Sequence, residues 1–114
     1  MDVLARAIRN SLCFGLFRGE SQIGFARVVT DYSRFGFLCD VFVLKAHRGK
    51  GLGKWLCECV RSCELLRGVR TLMLATKDAH VMYEKCGFER LANPDAFMAL
   101  KTEMPWFRPE LVEG

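Results

Sequence analysis

The chain has 114 residues, 51% of them hydrophobic and 26% charged, with a formal net charge of +4. That length suits one domain with a single core and little surplus stability, and the composition excludes both a disordered and a membrane-embedded chain. No apolar stretch approaches the ~20 residues that span a bilayer, and Met1-Asp2-Val3-Leu4-Ala5-Arg6 lacks a signal-peptide pattern, so the cytoplasm is the expected location.

Val3, Leu4, Ala7 and Ile8 form a one-sided apolar pattern that predicts a short helix ending near Asn10-Ser11. Leu12 to Arg18 reads as a strand, Gly19 to Gln22 as a turn and Ile23 to Val29 as the partner strand of a hairpin. Thr30 to Gly36 is a loop, and Phe37 to Leu44 is apolar on both faces, as a central strand covered from two sides should be. Next comes Arg48-Gly49-Lys50-Gly51-Leu52-Gly53-Lys54, which opens an amphipathic stretch. There Leu52, Leu56, Cys59, Val60 and Cys63 recur at helical spacing, with a last turn near Leu66-Arg67-Gly68. Thr71 to Ala75 is the next strand, parallel to the previous one because a helix joins them. Asp78 is placed to cap a short helix through Lys85, and Gly87 ends it. Phe88 to Leu91 and Phe97 to Leu100 read as the last two strands around Asn93-Pro94-Asp95, and the tail after Thr102 has no periodicity. The expected class is mixed α/β, with a sheet antiparallel at its start and parallel at its centre.

A strand that empties through a glycine-rich turn into a helix is an anion cradle. The first N–H groups of a helix lack internal partners, and the aligned peptide dipoles leave partial positive charge there. Phosphate binds such a place readily. Glycines let the backbone approach a ligand where a Cβ would collide, and Arg48, Lys50 and Lys54 add mobile positive charge suited to a diphosphate. A P-loop is excluded, because Gly49 precedes Gly53-Lys54 with too short a spacing and Trp55 stands where Ser or Thr would hold magnesium. The dinucleotide fingerprint fails as well, since the glycines read G-x-G-x-G and no ribose-binding acid follows.

What fits is R-x-x-G-x-G directly after a strand, which resembles the acetyl-CoA signature of the GCN5-related N-acetyltransferase (GNAT) superfamily. Asp40-Val41-Phe42-Val43-Leu44-Lys45-Ala46-His47 leads into Arg48 as that family's central strand does. Ala79-His80-Val81-Met82-Tyr83-Glu84-Lys85-Cys86-Gly87-Phe88-Glu89 is similar to its second hallmark, a short helix with a tyrosine running into Gly-Phe-Glu. The two motifs stand in the family's order and spacing, and the match covers residues 12 to 100 of a domain taken as 1–114.

The resemblance implies the GNAT fold, in which two central parallel strands splay apart and are flanked by helices. The pantetheine arm of acetyl-CoA enters the gap as a pseudo-strand. On this chain those strands are Asp40 to Leu44 and Thr71 to Thr76, with Phe42, Val43, Leu44 and Thr76 as cofactor contacts. The pyrophosphate would lie on Arg48, Gly49, Lys50, Gly51, Leu52, Gly53 and Lys54. The chemistry implied is direct acetyl transfer from acetyl-CoA to a primary amine of a small molecule or protein, with no metal. Tyr83 matches the family's acid, which protonates the departing thiolate, although an aromatic on a short helix also serves simply to pack. Asp40 is the candidate base, ahead of Asp31 and His80, and His47 is assigned to the loop surface.

Relative to the family pattern the chain is short at its start, since about ten residues precede Leu12. The first strand and the start of the first helix are expected to be missing, which leaves an exposed sheet edge and suggests a homodimer. The same shortness motivates a second reading, a catalytically idle acyl-CoA-binding module. A nucleic-acid-binding domain is the third, but the basic residues are spread along the chain rather than gathered in a stripe. The six cysteines form no Cys-x-x-Cys pair or zinc set and read as reduced, small hydrophobes. Phe14 and Phe25 read as core, and the acceptor is not legible.

Overall fold

A computed structural model describes residues 3–102. Its elements run α1 (Val3–Arg9), β1 (Leu12–Arg18), β2 (Ser21–Thr30), β3 (Phe35–Val43), α2 (Leu52–Arg61), β4 (Thr71–Leu74) and α3 (His80–Lys85), with short 3-10 turns between several of them. The sheet order is β1-β2-β3-β4. The first two pairings are antiparallel and the third, β3 with β4, is parallel, as the intervening helix requires.

The core lies between one sheet face and the α2/α3 layer. Ala26 and Val28 from β2 and Leu38 from β3 meet Leu56, Cys57 and Val60 of α2 and Tyr83 of α3, all buried. Phe14 packs against this cluster as expected. Phe25 does not: it lies on the opposite face, where its ring stacks on Phe42 with centroids 5.9 Å apart.

Strand β3 begins earlier than its apolar pattern indicates because the loop before it is closed by a side chain. Asp31 Oδ1 accepts hydrogen bonds from the amides of Ser33, Arg34 and Phe35 at 2.9, 2.8 and 3.1 Å. These bonds hold the Asp31 carboxyl below its usual range, so Asp31 is a turn-former rather than a base. Helix α2 ends sooner than its spacing predicts. Ser62 Oγ donates back to the Glu58 carbonyl at 2.9 Å, a bond that competes with further helix, and a 3-10 turn at Glu64–Leu66 then buries Leu66.

Two other expectations are corrected. Asp78 makes no cap: the N-cap residue of α3 is Ala79, and its amide donates to Thr76 Oγ1 at 3.1 Å. Residues 88–91 and 97–100 are not strands. Phe88 N–H closes the end of α3 on the Tyr83 carbonyl at 3.0 Å, and Phe97 N–H turns back to Pro94 at 3.2 Å. An alternating pattern becomes a strand only when a ladder partner is present, and neither segment has one within the described residues. The tail after Thr102 lies outside those residues. No helix among them is long and apolar enough to cross a membrane.

Candidate functional site

The site begins with a fault in the β2–β3 ladder. Phe25 faces Phe42 and Arg27 faces Cys39, so Ala26 alone stands opposite both Asp40 and Val41. This is a β-bulge, which bends a strand and raises its twist, and Asp40 sits in it at φ 54°. On its other edge β3 pairs with β4 only from Phe35↔Thr71 to Leu38↔Leu74. Residues 39–43 therefore have no strand beside them there, and the parallel pair opens into a wedge.

Within the wedge, the hydrogen-bond phase decides which backbone groups are available. Leu44 N–H donates to the Ile23 carbonyl at 2.7 Å, so the neighbouring pair Gly24↔Val43 is a non-hydrogen-bonded one. The N–H and C=O of Val43 consequently point away from β2, into the opening. The carbonyl already accepts from Arg48 Nε at 2.8 Å. Leu44, by contrast, is tied to β2 and does not line the cleft.

That cleft has a volume of about 540 Å³ and is lined by the bulge end of β3, the glycine loop and α3. Of the residues singled out in the sequence, Phe42, Val43, Arg48, Gly49, Gly51, Leu52, Gly53, Lys54 and Tyr83 line it. Leu44, Lys50, Thr76 and Asp40 do not. Thr76 falls beyond the end of β4 and instead anchors the start of α3 through Ala79. Lys50 is exposed on the outside of the loop. Val41, His47, Asp78, Ala79 and Met82 line the cleft without having been singled out for it. His47 was assigned to the surface, yet it is half-buried and precedes Arg48 directly, so adjacency to the loop was the available signal. His80 opens α3 outside the cleft.

The loop has the geometry of an anion cradle. Gly49 and Gly51 adopt φ 81° and 76°, the left-handed region where a Cβ is penalised, and nothing lies within 4 Å of a Cβ built on either. Their glycines thus serve backbone shape rather than side-chain clearance. Trp55 N–H makes the first helical bond of α2, to the Gly51 carbonyl at 3.0 Å. The amides of residues 49–54 ahead of it donate to no other described residue.

Tyr83 reaches the cleft from the opposite wall. Its ring meets Phe88 edge-on at 5.7 Å, and its hydroxyl has no hydrogen-bond partner among the described residues. Burial, reinforced by the thiols of Cys57 and Cys86, pushes its pKa up to about 12. The phenol is therefore a proton donor at any ordinary pH. The Cys57 thiol is likewise held above its usual range, first by burial and then by its hydrogen bond with Cys86.

Asp40 sits in the bulged half of β3 rather than at the beginning of that strand, where the sequence places it. Arg27 Nε donates to its Oδ2 at 2.6 Å, and Arg27 Nη1 donates to Ser11 Oγ at 2.8 Å. Ser11 passes the chain of bonds to the Ala7 carbonyl at 2.6 Å, linking the end of α1 to the bulge. Oδ1 of Asp40 is buried with no partner. Among the described residues no group of His, Cys, Asp and Glu could hold a metal ion, and all the cysteines are free.

With this geometry in view, comparison with known proteins is informative. The model of the acetyltransferase (GNAT) domain family matches residues 9–90. A solved GNAT-family protein from Xanthomonas campestris pv. campestris is 44% identical, with a TM-score of 0.82 over 88% of this chain and 70% of that one. A Gibberella zeae protein classed with the acetyltransferases is 34% identical over 105 residues, 74% of this chain. The match spans 58% of the length of that curated relative. A Bacillus subtilis acetyltransferase solved in complex with CoA shares the fold, with a TM-score of 0.68 over 89% of this chain and 72% of that one at 17% identity.

Proposed function

Because the chain belongs to the GNAT acetyltransferase family, we propose that it is an acetyl-CoA-dependent N-acetyltransferase acting on a primary amine of a small molecule or protein within a ternary complex. One observation carries this reading: the free amides of residues 49–54, the outward N–H of Val43 and the unpartnered hydroxyl of Tyr83 all border one cleft. The residues present fit the co-substrate. Arg48 and Lys54 supply charge beside the amide cradle for a pyrophosphate, and the open edge of β3 offers backbone groups to an extended arm.

When bound, acetyl-CoA supplies an acetyl group activated as a thioester. Val43 N–H is assigned to the carbonyl oxygen, where it stabilises negative charge as the amine attacks. As the N–C bond forms and the C–S bond breaks, the hydroxyl of Tyr83 donates its proton to the leaving sulfur. Asp40 Oδ1 is assigned as acceptor of the proton lost by the amine. The free, closely spaced thiols of Cys57 and Cys86 suit a reducing compartment, and the proposed setting is the cytoplasm. The outer edges of β1 and β4 have no ladder partner among the described residues, which supports a homodimer.

A second reading, a CoA-binding module without turnover, is favoured by the 2.6 Å ion pair that engages Asp40 with Arg27. Titration calorimetry with acetyl-CoA, desulfo-CoA and ADP, followed by an amine screen on Tyr83→Phe, separates the two. The enzyme reading predicts binding that needs the pantetheine arm and about a hundredfold loss of turnover in the variant, with affinity kept. Absence of turnover in both forms despite binding leaves the idle module; no binding to a folded sample removes both.

A further inference from the structure

Two unused halves of a β-ladder lie in this chain. The first is the outer edge of β4. Thr71 N–H donates to the Arg34 carbonyl at 3.2 Å, so Thr71 and, by alternation, Met73 bond toward β3, while the N–H and C=O groups of Leu72 and Leu74 face the open side. The second half is the segment Phe97-Met98-Ala99-Leu100, which contains no glycine or proline. It begins extended, with Phe97 at φ −107° and ψ 138°. Met98 and Leu100 are each 98% exposed. A single exposed leucine means little, but two large apolar side chains alternating along an extended segment have the form of a strand awaiting its sheet. No backbone hydrogen bond joins residues 97–102 to β4, and the only bond from Phe97 N–H turns back to Pro94.

We propose that residues 97–100 add as a strand to the outer edge of β4 on a second copy of this chain, and that the second copy does the same in return. The four residues of β4 match the length of the segment. Pairing would satisfy the outward groups of Leu72 and Leu74 and bring Met98 and Leu100 out of water onto the sheet. The second copy is the occupant because each chain carries both the edge and the strand and joins neither to the other, so a two-fold exchange closes both sites with no third component. Reciprocity makes every contact twice, which lets a short strand hold a dimer. The inference rests on the homodimer reading above and is independent of acetyl transfer.

The test is sedimentation velocity on the full chain across micromolar concentrations, beside two variants. Met98→Asp with Leu100→Asp removes the apolar contacts. Met98→Pro with Ala99→Pro removes adjacent N–H groups, one of which must face the ladder. The expected result is a dimeric parent and two monomeric variants with the parent's circular dichroism. A parent that stays monomeric overturns this pairing and the homodimer reading together. A dimer that survives in both variants leaves the homodimer standing on another surface and overturns the exchange. Loss of folding in either variant places the segment within its own copy, which overturns it equally.

Discussion

The two halves of β3 have different neighbours. Residues Phe35 to Leu38 are paired on both edges, with β2 on one side and β4 on the other, whereas residues 39–43 are paired only with β2. The paired half contributes Leu38 to the core; the half-paired one contributes Phe42 and Val43 to the cleft and Asp40 to a buried ion pair. The difference teaches that a bulge suffices to turn a structural strand into a binding edge. It ends the parallel ladder and leaves Val43 N–H directed at whatever enters the gap.

The comparison breaks most visibly at Arg27. Its replacement by alanine leaves the Asp40 carboxylate buried and unpaired, which should cost about 3 kcal/mol of stability, read as a lower urea midpoint with an unchanged slope. A loss of a few tenths would mean that the bulge stands without the ion pair. Next in size is Arg48→Ala, which removes both a cation at the loop and the hydrogen bond to the Val43 carbonyl. Acetyl-CoA affinity should fall by roughly thirtyfold, about 2 kcal/mol for a charged hydrogen-bonding group, and its salt dependence should weaken. Smallest is Gly51→Val. At φ 76° with open space around the missing side chain, the penalty is conformational alone, about 1 kcal/mol, and calorimetry should show roughly a fivefold weaker cofactor complex. A larger loss would show that the side chain itself meets the ligand.

Much of this contrast was legible in the sequence. The glycines and cations of the loop mark the phosphate end by chemistry alone, and the helical spacing of Leu52, Leu56 and Val60 identifies the helix behind it. The bulge was not legible, because it depends on Ala26 facing two residues at once, a property of cross-strand register that neither strand carries by itself. For the same reason Arg27 could not be joined to Asp40, and Leu44 was counted as a cofactor contact although its amide is spent on Ile23. Asp78 failed as a cap because Thr76, two residues earlier, reaches the Ala79 amide first. The segment from Phe97 to Leu100 was read as a strand from its alternation, but alternation does not say where the partner is.

Amide hydrogen exchange followed by NMR, with and without acetyl-CoA, tests the open edge of β3 most directly. The account predicts that Val43 exchanges quickly in the free protein and slows sharply on binding, while Leu44, already bonded to β2, is slow in both states. Equal protection of the two amides before binding, or an unchanged Val43 amide in the saturated complex, would contradict it.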